Sequence, residues 1–274
     1  MTRGICQASC LFCTQACASN SNTLSRVTWG VWEFDDVVDR LHDQKRVCIQ
    51  CLNYPEIFED LLEIVRQIRC PVSVSAQPFT IEEMRELSEH VDRISISLDC
   101  FTPRLFETYK PFYNWELHWA RIRKAVEIFG EGKVISHLIV GLGEREDEAV
   151  ATMDELVLMG VQPSLFAFTP VKGTKLEHRP PPSLDVYRRL QIARHLLLSG
   201  SATMDDFTFD RGKITSFGVD LTTAVTSEAF QTQGCPDCNR PFFNEVPGKE
   251  PFNYPQKISD ELMPALISQA GVKQ

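Results

Sequence analysis

The sequence predicts an α/β fold: a partial, open (βα)6 TIM-like barrel with a C-terminal extension and a truncated first strand. Three observations carry this reading. Short β-branched runs alternate with amphipathic stretches from residue 46 to about residue 200, the pattern of repeated βα units around a parallel sheet. Helix punctuation agrees, with Thr80 followed by Glu83 as a capping box and with Gly130 and Gly160 placed as C-terminal stops. Beyond Gly200 the alternation loosens, which separates a barrel (1–200) from an extension (201–274).

Taken in order, Met1 to Gly4 leaves almost no room for a strand ahead of Cys6, so the chain is expected to begin inside its first strand. Strands are then expected at 46–51, 71–75, 93–98, 133–140 and 164–168. Helices are expected at 55–69, 81–90, 115–129, 147–159 and 184–198. Pro180, Pro181, Pro182 and Ser183 read as a rigid bend and cap before the last of these helices, and not as a linker. The extension carries turn signals, a cysteine pair and one helical stretch near 258–269. It is too small to hold a core of its own and should pack on the barrel.

Composition narrows the function. The chain has 274 residues, 43% of them hydrophobic and 24% charged, with a net charge of -9. That acidity argues against nucleic acid as a partner, because phosphate-binding surfaces cluster Lys and Arg. No apolar run approaches the roughly 20 residues needed to span a bilayer, and the N-terminus has no signal-peptide layout. A cytoplasmic location with no membrane contact is expected. Ten cysteines in such a chain point to metal or redox chemistry instead of a disulfide framework. Six of them fall between Cys6 and Cys17 or at Cys235 and Cys238.

Cys6, Cys10 and Cys13 stand at C-x3-C-x2-C spacing. Three thiolates so placed can each hold one iron of a cubane and leave the fourth iron without a protein ligand, open to a chelating amine and carboxylate. Phe12 supplies a flat apolar surface beside the last thiol, suited to an adenine. The competing readings are a zinc site, which favours paired C-x2-C units, and a ferredoxin-like carrier with Cys17 as fourth ligand.

At these residues the chain resembles the radical S-adenosylmethionine superfamily, which implies a [4Fe-4S] cluster held by Cys6, Cys10 and Cys13 and S-adenosyl-L-methionine bound to it. Further segments resemble biotin synthase: Ser97-Leu98-Asp99, Ile139-Val140-Gly141-Leu142-Gly143-Glu144, and Thr169-Pro170-Val171-Lys172-Gly173-Thr174. By that resemblance Ser97 and Asp99 face the ribose hydroxyls or the substrate in a catalytic role. Ile139, Gly141 and Gly143 pack on the adenine, and Ser136 and His137 lie beside the cofactor. A carboxylate at the C-terminal end of a strand fits such a role in a barrel, while Gly141 and Gly143 also suit a tight strand-to-helix turn. Biotin synthase itself fits poorly, since its further cysteines have no counterpart at Val134-Ile135-Ser136 or near Ser73.

Cys235 and Cys238 form a C-x2-C pair stiffened by Gly234 and Pro236. Two ligands seldom complete a site, so more must come from elsewhere in the fold. Cys48 and Cys51 are candidates on opposite faces of one strand, and Cys51, nearer the strand's C-terminal end, is preferred. A structural zinc knuckle or two reduced thiols remain open alternatives. The segment from Gly234 through Phe252-Asn253-Tyr254-Pro255 resembles the tail of the two-subunit lipoyl synthases. That resemblance implies sulfur insertion into a protein-bound octanoyl group, with a second, auxiliary [4Fe-4S] cluster as the sulfur source. It also implies a paralogous radical SAM lipoyl synthase subunit, an octanoylated lipoyl carrier domain and a ferredoxin- or flavodoxin-type reductant as partners. Another biotin-synthase-like radical reaction with a structural C-terminal metal site, or a non-enzymatic iron-sulfur protein, is the alternative. Lys110, His118 and His195 show no metal spacing, and Trp29, Trp32, Trp115 and Trp119 are expected to fill core or interface positions.

Overall fold

Strand parity decides the architecture. In the computed structural model, which describes residues 4–21, 23, 30–238, 240, 245–246 and 248–272, helix α1 (Phe34–Leu41) precedes β1 (Val47–Gln50), α2 (Ile57–Val65), β2 (Val72–Ala76), α3 (Ile81–Ser88) and β3 (Arg93–Ile96). There follow α4 (Pro103–Tyr109), α5 (Trp115–Phe129), β4 (Val134–Val140), α6 (Glu146–Leu158), β5 (Val161–Ala167) and α7 (Leu184–Ser199). The five strands pair in parallel in sequence order, with β1 and β5 as the two edges of an open sheet. The first strand expected ahead of Cys6 falls largely on residues outside those described.

Alternate residues on each strand serve different faces. Val72, Val74, Ile94, Ile96, Val134, Leu138 and Leu165 are buried in the main core with Leu61, Met84, Leu87 and Ile122 from the covering helices. Full burial of each such side chain stabilises by about 1.5–3 kcal/mol. The opposite, concave face carries Cys48, Ser73, Ser75, Ser95, Ser97, His137 and Ser164 alongside Ile135 and Phe166, a largely polar lining that a purely structural sheet would not need.

The expected punctuation is present. Thr80 and Glu83 form the capping box of α3, and Gly130 and Gly160 follow α5 and α6 with φ of 93° and 76°. Helices α1 and α4 have no counterpart in the sequence reading; α4 is short, opens on Pro103 and is capped by the Thr102 hydroxyl. Trp115 and Trp119 meet edge to face at 5.7 Å on α5. Trp32 is exposed, so the expected core or interface role is not met there within the chain; Trp29 lies outside the described residues.

The extension forms a hairpin of β6 (Thr208–Asp210) and β7 (Lys213–Ser216), the short helix α8 (Leu221–Ala224) and α9 (Met263–Ser268). Its apolar residues, among them Phe207, Ile214, Phe230, Ile258 and Leu266, join the main core. Buried arginines of α7 fasten it. Arg188 donates to the carbonyls of Pro251 and Phe252, both at 2.7 Å. Arg189 pairs with Glu146 at 2.7 Å and donates to the Ala270 carbonyl. Among the described residues no helix is long and apolar enough to cross a membrane.

Candidate functional site

The loop of Cys6, Cys10 and Cys13 lies over the C-terminal ends of the strands. Gln7 donates its amide to the Asn53 carbonyl beyond β1 at 2.7 Å, and Leu11 to the Tyr109 carbonyl at the end of α4 at 2.9 Å. Inside the loop, the Cys13 amide reaches the Cys10 carbonyl and the Gln15 amide reaches the Cys13 sulfur at 3.3 Å. At Gly4 a Cβ would meet the Tyr54 ring at 2.3 Å, so the chain enters the loop where only glycine fits. The segment after the loop docks on the turn beyond β5: the Asn20 amide donates to Gly173, where a Cβ would strike Ser21 at 2.6 Å.

Cys6 and Cys10 are buried with Ala8, and Phe12, Cys13, Leu52 and Tyr113 pack around them. Burial is the main cause that pushes the Cys10 thiol up to about 12, opposed by Lys110 and reinforced by Asp99, Cys13 and Cys6. Burial likewise raises Cys13 to about 11. Left alone these sulfurs stay protonated at neutral pH; bound cationic metal would hold them as thiolates. Three soft, desolvated donors on one loop therefore suit an iron-sulfur cluster. Cys17 is exposed and stands outside this group.

Beneath the loop, Asp99 adopts a left-handed backbone, φ 61°, held on both sides by β4: its amide donates to His137 at 2.8 Å and its carbonyl accepts from Ile139 at 2.9 Å. Its carboxylate meets the ammonium of Lys110 at 2.9 Å. Lys110 is wholly buried, donates to the Ser97 carbonyl at 2.6 Å, and lies 4.8 Å from the Phe106 ring centroid. Burial raises the Asp99 carboxyl while Lys110 lowers it. Ser97 bonds His137 Nδ1 at 3.0 Å, and the His137 ring meets Phe166 edge-on at 4.8 Å. Burial first, then Arg240 and Lys110, pushes His137 down to about 3, so it is neutral at physiological pH.

Phe12 and Ile139 meet in one apolar cluster with Leu105, Phe106, Tyr109, Leu142 and Phe168. Gly141 (φ 108°) and Gly143 (φ 110°) form the turn below it; at Gly141 a Cβ would come within 2.9 Å of Pro182. Glu144 closes this turn by accepting from the amides of Gly141 at 2.6 Å and Leu142 at 2.9 Å. Ser136 does not join the site. It points to the helix side, where it is fully buried and accepts from the Leu98 amide at 3.1 Å. Ser136 and His137 are consecutive on a strand, and consecutive side chains take opposite faces. Lys110 is the residue that sequence reasoning missed: a lone lysine carries no motif, and only the return of α4 toward β3 brings it to Asp99.

Among the described residues no three His, Cys, Asp or Glu side chains close on a single metal ion. The C-terminal pair lies at the other end of the strands, where Cys48 is within electrostatic range of both Cys235 and Cys238. Cys51, the preferred partner, packs instead against the main core, where burial raises it to about 12.

The sequence model of the radical SAM superfamily matches residues 2–156, more than half of the chain. The chain belongs to the radical SAM superfamily. This membership implies a [4Fe-4S] cluster and S-adenosylmethionine, and the thiol loop with its apolar flank fits both. Among solved structures the chain is similar to methylornithine synthase (TM-score 0.56, 15% identity, 71% of this chain and 59% of that one). It is also similar to HydG, a maturase of the [FeFe]-hydrogenase (TM-score 0.57, 16%, 72% and 48%). A third likeness is to a radical SAM methyltransferase from Sphaerobacter thermophilus (TM-score 0.54, 15%, 74% and 62%). At these identities the likeness shows the fold alone, and the chain spans about half to three fifths of the length of those structures. No curated protein sequence matches the chain.

Proposed function

We propose that this radical SAM chain cleaves S-adenosylmethionine reductively and inserts sulfur into a protein-bound octanoyl group, as one subunit of a two-subunit lipoyl synthase. The observation that carries the reading is the presence of two thiol groups at opposite ends of one polar barrel interior: Cys6, Cys10 and Cys13 above, Cys235 and Cys238 below. Cys6, Cys10 and Cys13 would hold the [4Fe-4S] cluster, and with S-adenosylmethionine and an electron from a ferredoxin- or flavodoxin-type donor it would supply the radical that abstracts hydrogen from an unactivated C–H. Cys235 and Cys238 would hold in part an auxiliary cluster that would supply the sulfur.

The chain's own groups orient and exclude. Phe12 and Ile139 give the adenine an apolar seat. Asp99, fixed by Lys110, and Ser97, fixed by His137, offer oxygens toward the ribose or substrate at the C-terminal end of the strands. Burial of the loop keeps water from a radical. The test is anaerobic turnover with reductant, S-adenosylmethionine, an octanoyl-lysine carrier domain and the paralogous subunit, read by mass spectrometry. Deoxyadenosine together with a thiolated octanoyl group supports the proposal. Deoxyadenosine without sulfur transfer, with the C-terminal cysteines dispensable, would favour another radical reaction.

A further inference from the structure

The turn that carries Cys235 and Cys238 spans the open side of the sheet at the N-terminal ends of its edge strands. On the β5 side, Ser164 donates to the Gln233 carbonyl at 2.7 Å and Gln162 to the Gly234 carbonyl at 3.2 Å. On the β1 side, Lys45 meets Asp237 at 3.2 Å. A cavity of about 410 Å³ opens beside the turn, with Arg93, Gln162, Cys235 and Cys238 in its wall.

Register supplies a third thiol. Cys48 pairs with Ser73 across β1 and β2, and Ser73 pairs with Arg93 across β2 and β3. Side chains in register on neighbouring parallel strands share a face, about 4.8 Å apart. The Ser73 hydroxyl lies next to the Cys235 thiol, so Ser73 is the common neighbour of Cys48 and Cys235. Cys48 stays accessible to solvent and accepts from Gln50 Nε2 at 3.0 Å. Cys51, three residues on, has the opposite parity.

The surroundings are cationic and incomplete. Arg46 donates to the Ser73 hydroxyl at 2.9 Å and pairs with Asp92 at 2.7 Å, while Arg93 donates to the Gly132 carbonyl at 2.7 Å. Arg93 Nε lies 3.5 Å from the Asp92 carboxylate, beyond a good hydrogen bond, and the Nε donor of Arg46 is buried and, among the described residues, makes no hydrogen bond. Buried donors without acceptors are uncommon, and the Arg46 donor, with Arg93 close by and both beside three cysteines, points to an anionic group. Three thiolates on one zinc ion, with bonds of about 2.3 Å, would have to lie within about 4 Å of each other. No such convergence exists here among the described residues, whereas the corners of a polynuclear cluster are held further apart.

We infer that Cys48, Cys235 and Cys238 together ligate a second iron-sulfur cluster at the N-terminal end of the strands, flanked by Arg46 and Arg93. The inference rests on the sulfur-source reading and deepens it by naming the third ligand. Three thiolates give a cubane a net negative charge, which the two guanidiniums would offset and to which the unpaired Arg46 Nε–H would donate.

The experiment is iron and sulfide counting, with electron paramagnetic resonance after reduction, on the full chain reconstituted anaerobically. Wild type should hold about eight irons, as two cubanes, and Cys48→Ala, Cys235→Ala and Cys238→Ala about four each. Cys51→Ala should keep about eight. The same substitutions made in a Cys6→Ala, Cys10→Ala, Cys13→Ala background should take the count from about four to none, which isolates this site. Retention of the other cluster's irons in Cys48→Ala of the otherwise native chain shows that the fold survives. If Cys235→Ala and Cys238→Ala lose four irons but Cys48→Ala keeps eight, the inference is overturned and the sulfur-source reading stands. If wild type holds only four irons and none of the three variants changes the count, both fail.

Discussion

At the C-terminal ends of the strands three cysteines come from one eight-residue loop, whereas at the N-terminal ends Cys48 and the Cys235–Cys238 pair come from distant parts of the chain. The first group is fixed locally, by amides reaching Asn53 and Tyr109 and by a ring that only Gly4 can pass. The second depends on strand register, on the turn bridging β1 and β5, and on buried arginines that hold the extension. A site contiguous in sequence can be read from spacing, while a discontinuous one exists only once the sheet has formed. The two differ in electrostatics as well: the upper thiols face one lysine paired with Asp99, the lower ones two arginines that share Asp92, of which Arg46 keeps a buried Nε donor without a hydrogen bond.

The largest expected effect breaks the comparison outright. Cys10→Ala should remove about four irons and bring deoxyadenosine formation to background, measured by chromatography after reduction with S-adenosylmethionine. Next, Lys110→Met would leave the Asp99 carboxylate buried without its partner and should cost about 3–5 kcal/mol in urea unfolding of the cluster-free protein. Adding Asp99→Asn should recover most of that loss, because the uncompensated charge is gone.

A pH series sharpens the picture of the interior between the two sites. His137 is held near 3 in the folded chain, against about 6.5 when unfolded, so the unfolded chain binds the proton first. Its contribution is complete above about pH 6.5 and is lost as pH falls from there toward 3. By pH 5 the loss should be about 2 kcal/mol, and His137→Asn should flatten that part of the stability profile. Ser136→Ala, on the other face of the same strand, leaves the Leu98 amide without its acceptor and should cost about 1–2 kcal/mol while deoxyadenosine formation stays at the wild-type rate. The smallest effect is expected at the rim of the lower site. The Lys45–Asp237 pair is exposed, and Lys45→Ala should move stability by no more than about 0.5 kcal/mol.

Much of the barrel was legible because its signals are local. The strands at 47–50, 72–76, 93–96 and 134–140 fall on the β-branched runs where they are expected, while β5 (161–167) starts three residues before the expected 164 because Gln162 and Pro163 break the run; the α3 capping box lies where Thr80 and Glu83 place it. Helix α4 was missed because seven residues opening on a proline show too little periodicity, and with it went Lys110, whose role depends on a fold-back of the chain.

By itself the sequence determined the α/β class, the family and the Cys6–Cys10–Cys13 loop, since periodicity, turn chemistry and short-range spacing are encoded within a few residues. Only the tertiary structure decided that Lys110 holds Asp99, that Ser136 turns away while His137 turns in, and that Cys48, not Cys51, stands by the C-terminal pair. Those outcomes rest on strand parity, register and chain return, which relate residues far apart in sequence and take definite values only when the sheet is assembled.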